Sequence, residues 1–121
     1  MVNEKVDGYL INSYIVDHGE TKPAYGYVVE KGGKSVGFSG DSMYCEAIEE
    51  IVKKSDVSVL DMSKIEGHSN HMGIDNIKML CEKYPDKKIV ATHMQDNSRE
   101  ESKKLDIKNL IIPDDGDIIE F

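Results

Sequence analysis

From residue 44 to residue 91 the apolar residues switch repeatedly between two periods, and this alternation constrains the fold more than any other feature of the chain. Tyr44, Ala47, Ile48, Ile51 and Val52 recur three and four apart, as one face of a helix ending near Lys53-Lys54. Val57-Ser58-Val59-Leu60 then reads as a short strand. Ile74, Ile77, Leu80, Cys81 and Tyr84 make a second amphipathic helix, stopped by Pro85 because the residue before a proline is pushed out of the α region. Ile89-Val90-Ala91 is the next strand. Upstream, Tyr9–Val16 and Tyr25–Glu30 are rich in β-branched and aromatic residues and read as strands. Lys31-Gly32-Gly33-Lys34 is a hairpin turn into a strand over Ser35–Phe38. Downstream, a short polar helix is expected over Ser98–Leu105, then a strand at Leu110-Ile111-Ile112, a turn over Asp114–Asp117 and a closing strand at Ile118-Ile119. The layout is α/β, a single domain over residues 1–121 with one mixed β-sheet.

The charge balance excludes several partners. With 15 basic and 23 acidic residues the net charge is −8, which repels a phosphate backbone, so nucleic acid is not favoured. The pairs Lys53-Lys54, Lys87-Lys88 and Lys103-Lys104 each lie beside acidic residues and read as solvated helix ends. Cys45 and Cys81 lack short-range partners and read as buried free thiols. No apolar stretch reaches the ~20 residues that cross a bilayer, and the N-terminus has no signal-peptide apolar region, so no membrane association and a cytoplasmic location are expected.

The histidines stand where an α/β fold places ligands, beyond the carboxyl ends of strands. His18 follows Ile15-Val16, His93 follows Ile89–Thr92, and His71 lies in the loop between Leu60 and the second helix. Asp41 sits at the corner Phe38-Ser39-Gly40-Asp41-Ser42, where a strand turns toward a helix. Imidazoles and a carboxylate on one rim have the chemistry of a divalent transition-metal site.

In order, Val16-Asp17-His18-Gly19 ahead of the Gly26-Tyr27 strand, Ser39-Gly40-Asp41-Ser42, His71-Met72-Gly73 and Thr92-His93 resemble the later motifs of the metallo-β-lactamase superfamily, particularly its ribonuclease Z-like branch. The likeness runs from about Ile15 to Phe121 and takes in Pro113-Asp114-Asp115-Gly116. It implies that Asp41 bridges two metal ions, that His18 is a ligand of the first and His93 of the second, and that His71 is a general acid for the leaving oxygen. His68 is the weaker alternative for that last role; its plainer reading is a loop histidine exposed to water. The cofactor implied is zinc or another divalent transition metal.

The family's first metal motif, His-x-His-x-Asp-His, occurs nowhere in the 121 residues. The chain therefore resembles the C-terminal half of the αββα sandwich, one mixed sheet with helices on one face. Asp61-Met62-Ser63 departs from the acidic residue that ribonuclease Z carries before the histidine at 71, and Met94–Arg99 departs from its Ser-Arg-Tyr-like sequence. These differences and the charge disfavour tRNA processing. The expected function is metal-dependent hydrolysis of a phosphodiester or other ester, with the chain inactive alone and metal weakly bound or absent. The alternative is a non-catalytic interaction module that dimerises or complements a separate N-terminal half. In either case an apolar sheet face carrying Leu10, Val28, Val36, Val59 and Val90 is expected to be covered by a partner, most simply in a homodimer.

Overall fold

The computed structural model describes residues 2–121. Seven strands form one sheet in sequence order: β1 (Val2–Val6), β2 (Tyr9–Val16), β3 (Ala24–Lys31), β4 (Lys34–Phe38), β5 (Val57–Asp61), β6 (Lys88–Thr92) and β7 (Leu110–Ile111). Neighbours from β1 to β4 are antiparallel, and those from β4 to β7 are parallel. The parallel strands are joined through α1 (Glu46–Lys54), α2 (Ile74–Lys83) and α3 (Asp96–Ser102). Steady progress in one direction, with right-handed crossovers, sets the helices on one face. The mixed sheet with one-sided helices is the architecture expected from the changes of period.

The register assigns every side chain to a face. Ile11 pairs with Val29, Val29 with Val36, Val36 with Val57, and Phe38 with Val59, which lies opposite Val90. These residues share the face away from the helices. Tyr14, Val16, Val28, Leu60, Ile89 and Ala91 alternate with them and form one buried core with Ile48, Ile51 and Val52 of α1 and Ile77, Leu80 and Cys81 of α2. The open face expected from sequence is thus corrected: Val36, Val59 and Val90 belong to it, whereas Leu10 and Val28 lie on the helix side, with Val28 in the core. A one-residue offset reverses the side on which a strand residue falls.

Two glycines let α1 lie close on the sheet. A Cβ at Gly37 would stand 2.6 Å from Ile51 Cγ2 and 2.4 Å from Ser55 Oγ, and one at Gly26 would stand 2.6 Å from Ile51 Cδ1. The other end of α1 is clamped to α2. The Glu49 carboxylate accepts hydrogen bonds from the Tyr44 hydroxyl, the Tyr84 hydroxyl (2.5 Å) and Lys83 Nζ (2.6 Å). Chiefly the Lys83 bond, then those from the two tyrosines, hold the Glu49 carboxyl down to about 2, and the same contact pushes the Tyr44 hydroxyl up to about 12.

Two terminal elements differ from the sequence reading. β1 is an additional strand, joined to β2 through Asp7-Gly8, both at positive φ. Its Asp-Gly turn was the available signal, masked by the polar residues of an edge strand. The expected strand at Ile118-Ile119 is absent, since those residues are irregular. The tail instead runs across the open sheet face, where Lys34 Nζ donates to the Phe121 carbonyl and Lys88 Nζ to that of Glu120 (3.3 Å). Lys34 and Lys88 both belong to that face, and the neighbouring Val57 and Val90 are buried although no helix covers them. Among the described residues no helix is long and apolar enough to cross a membrane.

Candidate metal centre

β2, β4, β5 and β6 run the same way, so their carboxyl ends deliver Asp17-His18, Gly40-Asp41, Asp61 and His93 to one edge of the sheet. The corner before Asp41 owes its shape to two buried serines. Ser39 Oγ accepts the Asp61 N–H (2.9 Å), and the Ser39 N–H bonds the Val59 carbonyl (3.0 Å). Ser42 Oγ accepts the Asp17 N–H (3.2 Å) and donates to the Met43 carbonyl (2.7 Å). Between them Gly40 takes φ +59°, a value costly for residues with a Cβ, and Asp41 is left half-exposed on the rim.

His93 lies one residue past β6 and also adopts a left-handed conformation, φ 57°. For a non-glycine residue this backbone is sparsely populated and is held by its surroundings. Its Nε2 stands 3.7 Å from Asp41 Oδ1. That is too long for a hydrogen bond but suits two donors sharing one divalent ion, with bonds of about 2.0–2.1 Å each.

His18 is oriented from the far side. Its Nδ1 lies 3.0 Å from the Asn70 carbonyl, which can only accept, so the proton is on Nδ1 and Nε2 keeps its lone pair. That tautomer is the one a metal ligand requires. Asn70 presents its carbonyl from a tight turn in which Ser69 (φ 48°) and Asn70 (φ 82°) are both left-handed.

His71 stands between the other two imidazoles, its ring centre 5.1 Å from that of His18 and 5.3 Å from that of His93. Its Nδ1 lies 2.7 Å from Oδ2 of Asp61, a fully buried carboxylate. Asp61 also accepts the N–H of Ser42 (3.1 Å), the N–H of Ser63 (3.0 Å) and the hydroxyl of Ser63 (2.6 Å). Its four donors satisfy it without a cation, as a buried charge requires. Asp61 is the site residue that sequence reasoning missed: Asp61-Met62-Ser63, read as a departure from the family's acidic residue, places a carboxylate on His71. The signal was an aspartate ending an apolar strand. His68 is exposed and pairs only through its backbone with His71.

The rim thus gathers His18, His71 and His93 side by side, with Asp41 beside His93 and Asp61 behind His71. The donor types of His18, Asp41 and His93 fit a divalent transition metal, but among the described residues no three His, Cys, Asp or Glu side chains stand in metal-holding geometry. An open groove of about 800 Å³ lies at the end of β2, lined by Ile15, Val16, Asp17, Lys22, Cys45 and Ala47 among others.

A sheet of this topology with imidazoles and carboxylates on the carboxyl rim defines a metallo-hydrolase class of fold. The chain belongs to the metallo-β-lactamase superfamily: the family described as "Beta-lactamase superfamily domain" matches residues 10–94, from β2 through the histidine after β6. No curated protein sequence matches it at a comparable level. Among solved structures it is similar to an isothiocyanate hydrolase from Delia radicum gut bacteria, with 21% identity and TM-score 0.77 over 98% of this chain and 58% of that one. It is also similar to a diphosphatase of the PhnP family, with 26% identity and TM-score 0.72 over 95% of this chain and 44% of that one. The short form of human tRNase Z matches with 12% identity and TM-score 0.66, over 97% of this chain and 44% of that one. The chain therefore spans about half the length of these structural relatives.

Proposed function

We propose that this chain supplies one side of a metal-dependent hydrolase centre for phosphodiesters or related esters, and that it has little activity alone. The observation that carries the proposal is the separation of His93 Nε2 and Asp41 Oδ1, 3.7 Å, beside an imidazole already paired with a buried carboxylate. Asp41 and His93 are the two groups that would hold one ion, and His18 is the group that would hold another. A divalent ion bound there would supply Lewis-acid polarisation and an acidified water. The rest belongs to the protein. Asp61 fixes the His71 ring by accepting a hydrogen bond from its Nδ1–H, which leaves Nε2 as the atom that, in the imidazolium form, would pass its proton to the leaving oxygen. Attack of water at a phosphorus centre agrees with the similarity to a diphosphatase.

Catalytic zinc sites use three protein ligands plus water, so the donors of one copy should hold the ion weakly. Calorimetric titration with Zn²⁺ should show weak binding that Asp41→Asn and His93→Ala each abolish. Turnover of bis-p-nitrophenyl phosphate should be slow and should fall further in His71→Ala, whose zinc binding is retained. Zinc binding indifferent to both Asp41 and His93 would refute the site.

A further inference from the structure

The rim groups come from four separate segments, yet three of them are tied into one closed circuit of hydrogen bonds. The Ser42 N–H donates to Asp61 Oδ2 (3.1 Å), and the same oxygen accepts the Nδ1–H of His71 (2.7 Å). His71 follows Asn70, whose carbonyl accepts the Nδ1–H of His18 (3.0 Å). His18 follows Asp17, whose N–H donates back to Ser42 Oγ (3.2 Å). The Asn70 side chain lies directly against the backbone behind His18, because a Cβ at Gly19 would stand 1.9 Å from Asn70 Oδ1. The Gly19 N–H is in turn held by Asp17 Oδ1 (3.0 Å). His18 and His71 are thus members of the circuit and Asp41 is beside it, between Gly40 and Ser42. Ser42 enters it twice, through its N–H and through its hydroxyl.

We propose that Ser42 is a positioning residue for the rim: its hydroxyl sets the orientation and tautomer of the His18 imidazole, with which it shares no hydrogen bond, and holds the adjoining Asp41 in the same frame. The hydroxyl is fully buried and serves both segments at once, accepting the Asp17 N–H and donating to the Met43 carbonyl (2.7 Å), with the Asp17 carbonyl a second acceptor at 3.2 Å. An alanine offers neither function. Without the hydroxyl, the end of β2 keeps one bond to the corner, from the Met43 N–H to the Asp17 carbonyl (2.8 Å). That bond preserves the fold, but one bond is a pivot where two fix an angle. His18 is the next residue along, so a swing at Asp17 carries its Nδ1 away from the Asn70 carbonyl. Hydrogen bonds weaken steeply with such misalignment, and the proton is then free to move to Nε2, the atom a metal needs unprotonated. His93 lies outside the circuit and takes its place from its own left-handed backbone.

The effect on metal rests on the metal reading above, whereas the effect on His18 stands without it, and two measurements separate them. In the metal-free chain, ¹⁵N chemical shifts of the histidine rings should show His18 protonated on Nδ1. Ser42→Ala should be folded by circular dichroism and should lose that form as the dominant one, and Ser42→Thr, which keeps the hydroxyl, should restore it. Ser42→Cys, kept reduced, fills the volume of the serine with a weakly bonding thiol and should show the same loss, so the reading survives if the alanine variant does not fold. In calorimetric titration Ser42→Ala should bind Zn²⁺ about tenfold more weakly than the wild type, as expected for loss of a group that orients a ligand, and Ser42→Thr should bind it as the wild type does. A wild-type His18 protonated on Nε2 would overturn the circuit, and an unchanged His18 in the alanine or cysteine variant would overturn Ser42 as its positioner. A loss that Ser42→Thr fails to restore would overturn the role of the hydroxyl in favour of packing. Equal zinc affinity alongside a changed His18 would overturn the metal clause alone. Wild-type zinc binding indifferent to Asp41 and His93 would instead refute the metal centre itself, with the His18 result still deciding the circuit.

Discussion

Asp61→Asn tests the arrangement behind His71 without changing its shape. The carboxylate accepts four hydrogen bonds, two on each oxygen: His71 Nδ1 and Ser42 N on one, Ser63 N and Ser63 Oγ on the other. An amide has one accepting oxygen and one NH₂. Whichever way it turns, either the Ser42 N–H or the Ser63 N–H faces a donor, in a place closed to water. An unsatisfied buried donor costs roughly 1–3 kcal/mol, and the charge-assisted bond to the imidazole is lost as well. The Ser63 hydroxyl can rotate and the imidazole can change tautomer, so these two partners recover part of the loss; the backbone N–H cannot. Urea denaturation should therefore show a loss of about 1–3 kcal/mol, or roughly 4 °C of melting temperature per kcal/mol in a chain of this size. The downfield ¹H resonance expected of an imidazole N–H on a carboxylate should disappear from the His71 ring. Zinc binding should persist, because neither Asp61 nor His71 is among the proposed ligands. A variant with the wild-type denaturation midpoint and an unchanged His71 resonance would refute the assignment of Asp61.

The Glu49 clamp predicts acid sensitivity of a definite sign. The folded carboxyl is held at about 2 against an ordinary value of 4.5, so its contribution is complete above about pH 5 and is lost as pH falls from 4.5 toward 2. Glu49→Gln should remove on the order of 1–3 kcal/mol at pH 7 and flatten the stability curve over that window; parallel curves for the two proteins would show that Tyr44, Tyr84 and Lys83 do not act through this charge. Gly37→Ala should destabilise by about 1–3 kcal/mol, since its Cβ overlaps Ile51 and Ser55, and an unchanged melting temperature would mean that α1 lifts off the sheet freely.

Much of the framework was legible in the sequence because it depends on neighbours along the chain. Tyr9–Val16 reads as β2 to the residue, the helical spacing from Ile74 to Tyr84 gives α2 with Pro85 as its stop, and the Gly40-Asp41 corner follows from a strand ending in small residues. The order of His18, Asp41, His71 and His93 along those elements was equally visible. What the sequence left open are properties of elements relative to one another. Alternation shows that a strand has two faces but not which one a helix covers, and so Leu10 and Val28 fell on the wrong side. Ile118-Ile119 has the composition of a strand, yet the lysines of the open face hold the tail as an irregular crossing. Asp61 is an ordinary strand-ending polar residue until the loop carrying His71 folds back within 2.7 Å of it. Only tertiary structure decides such contacts, because burial, register and hydrogen-bond partnership each require two segments, and a linear pattern describes one at a time.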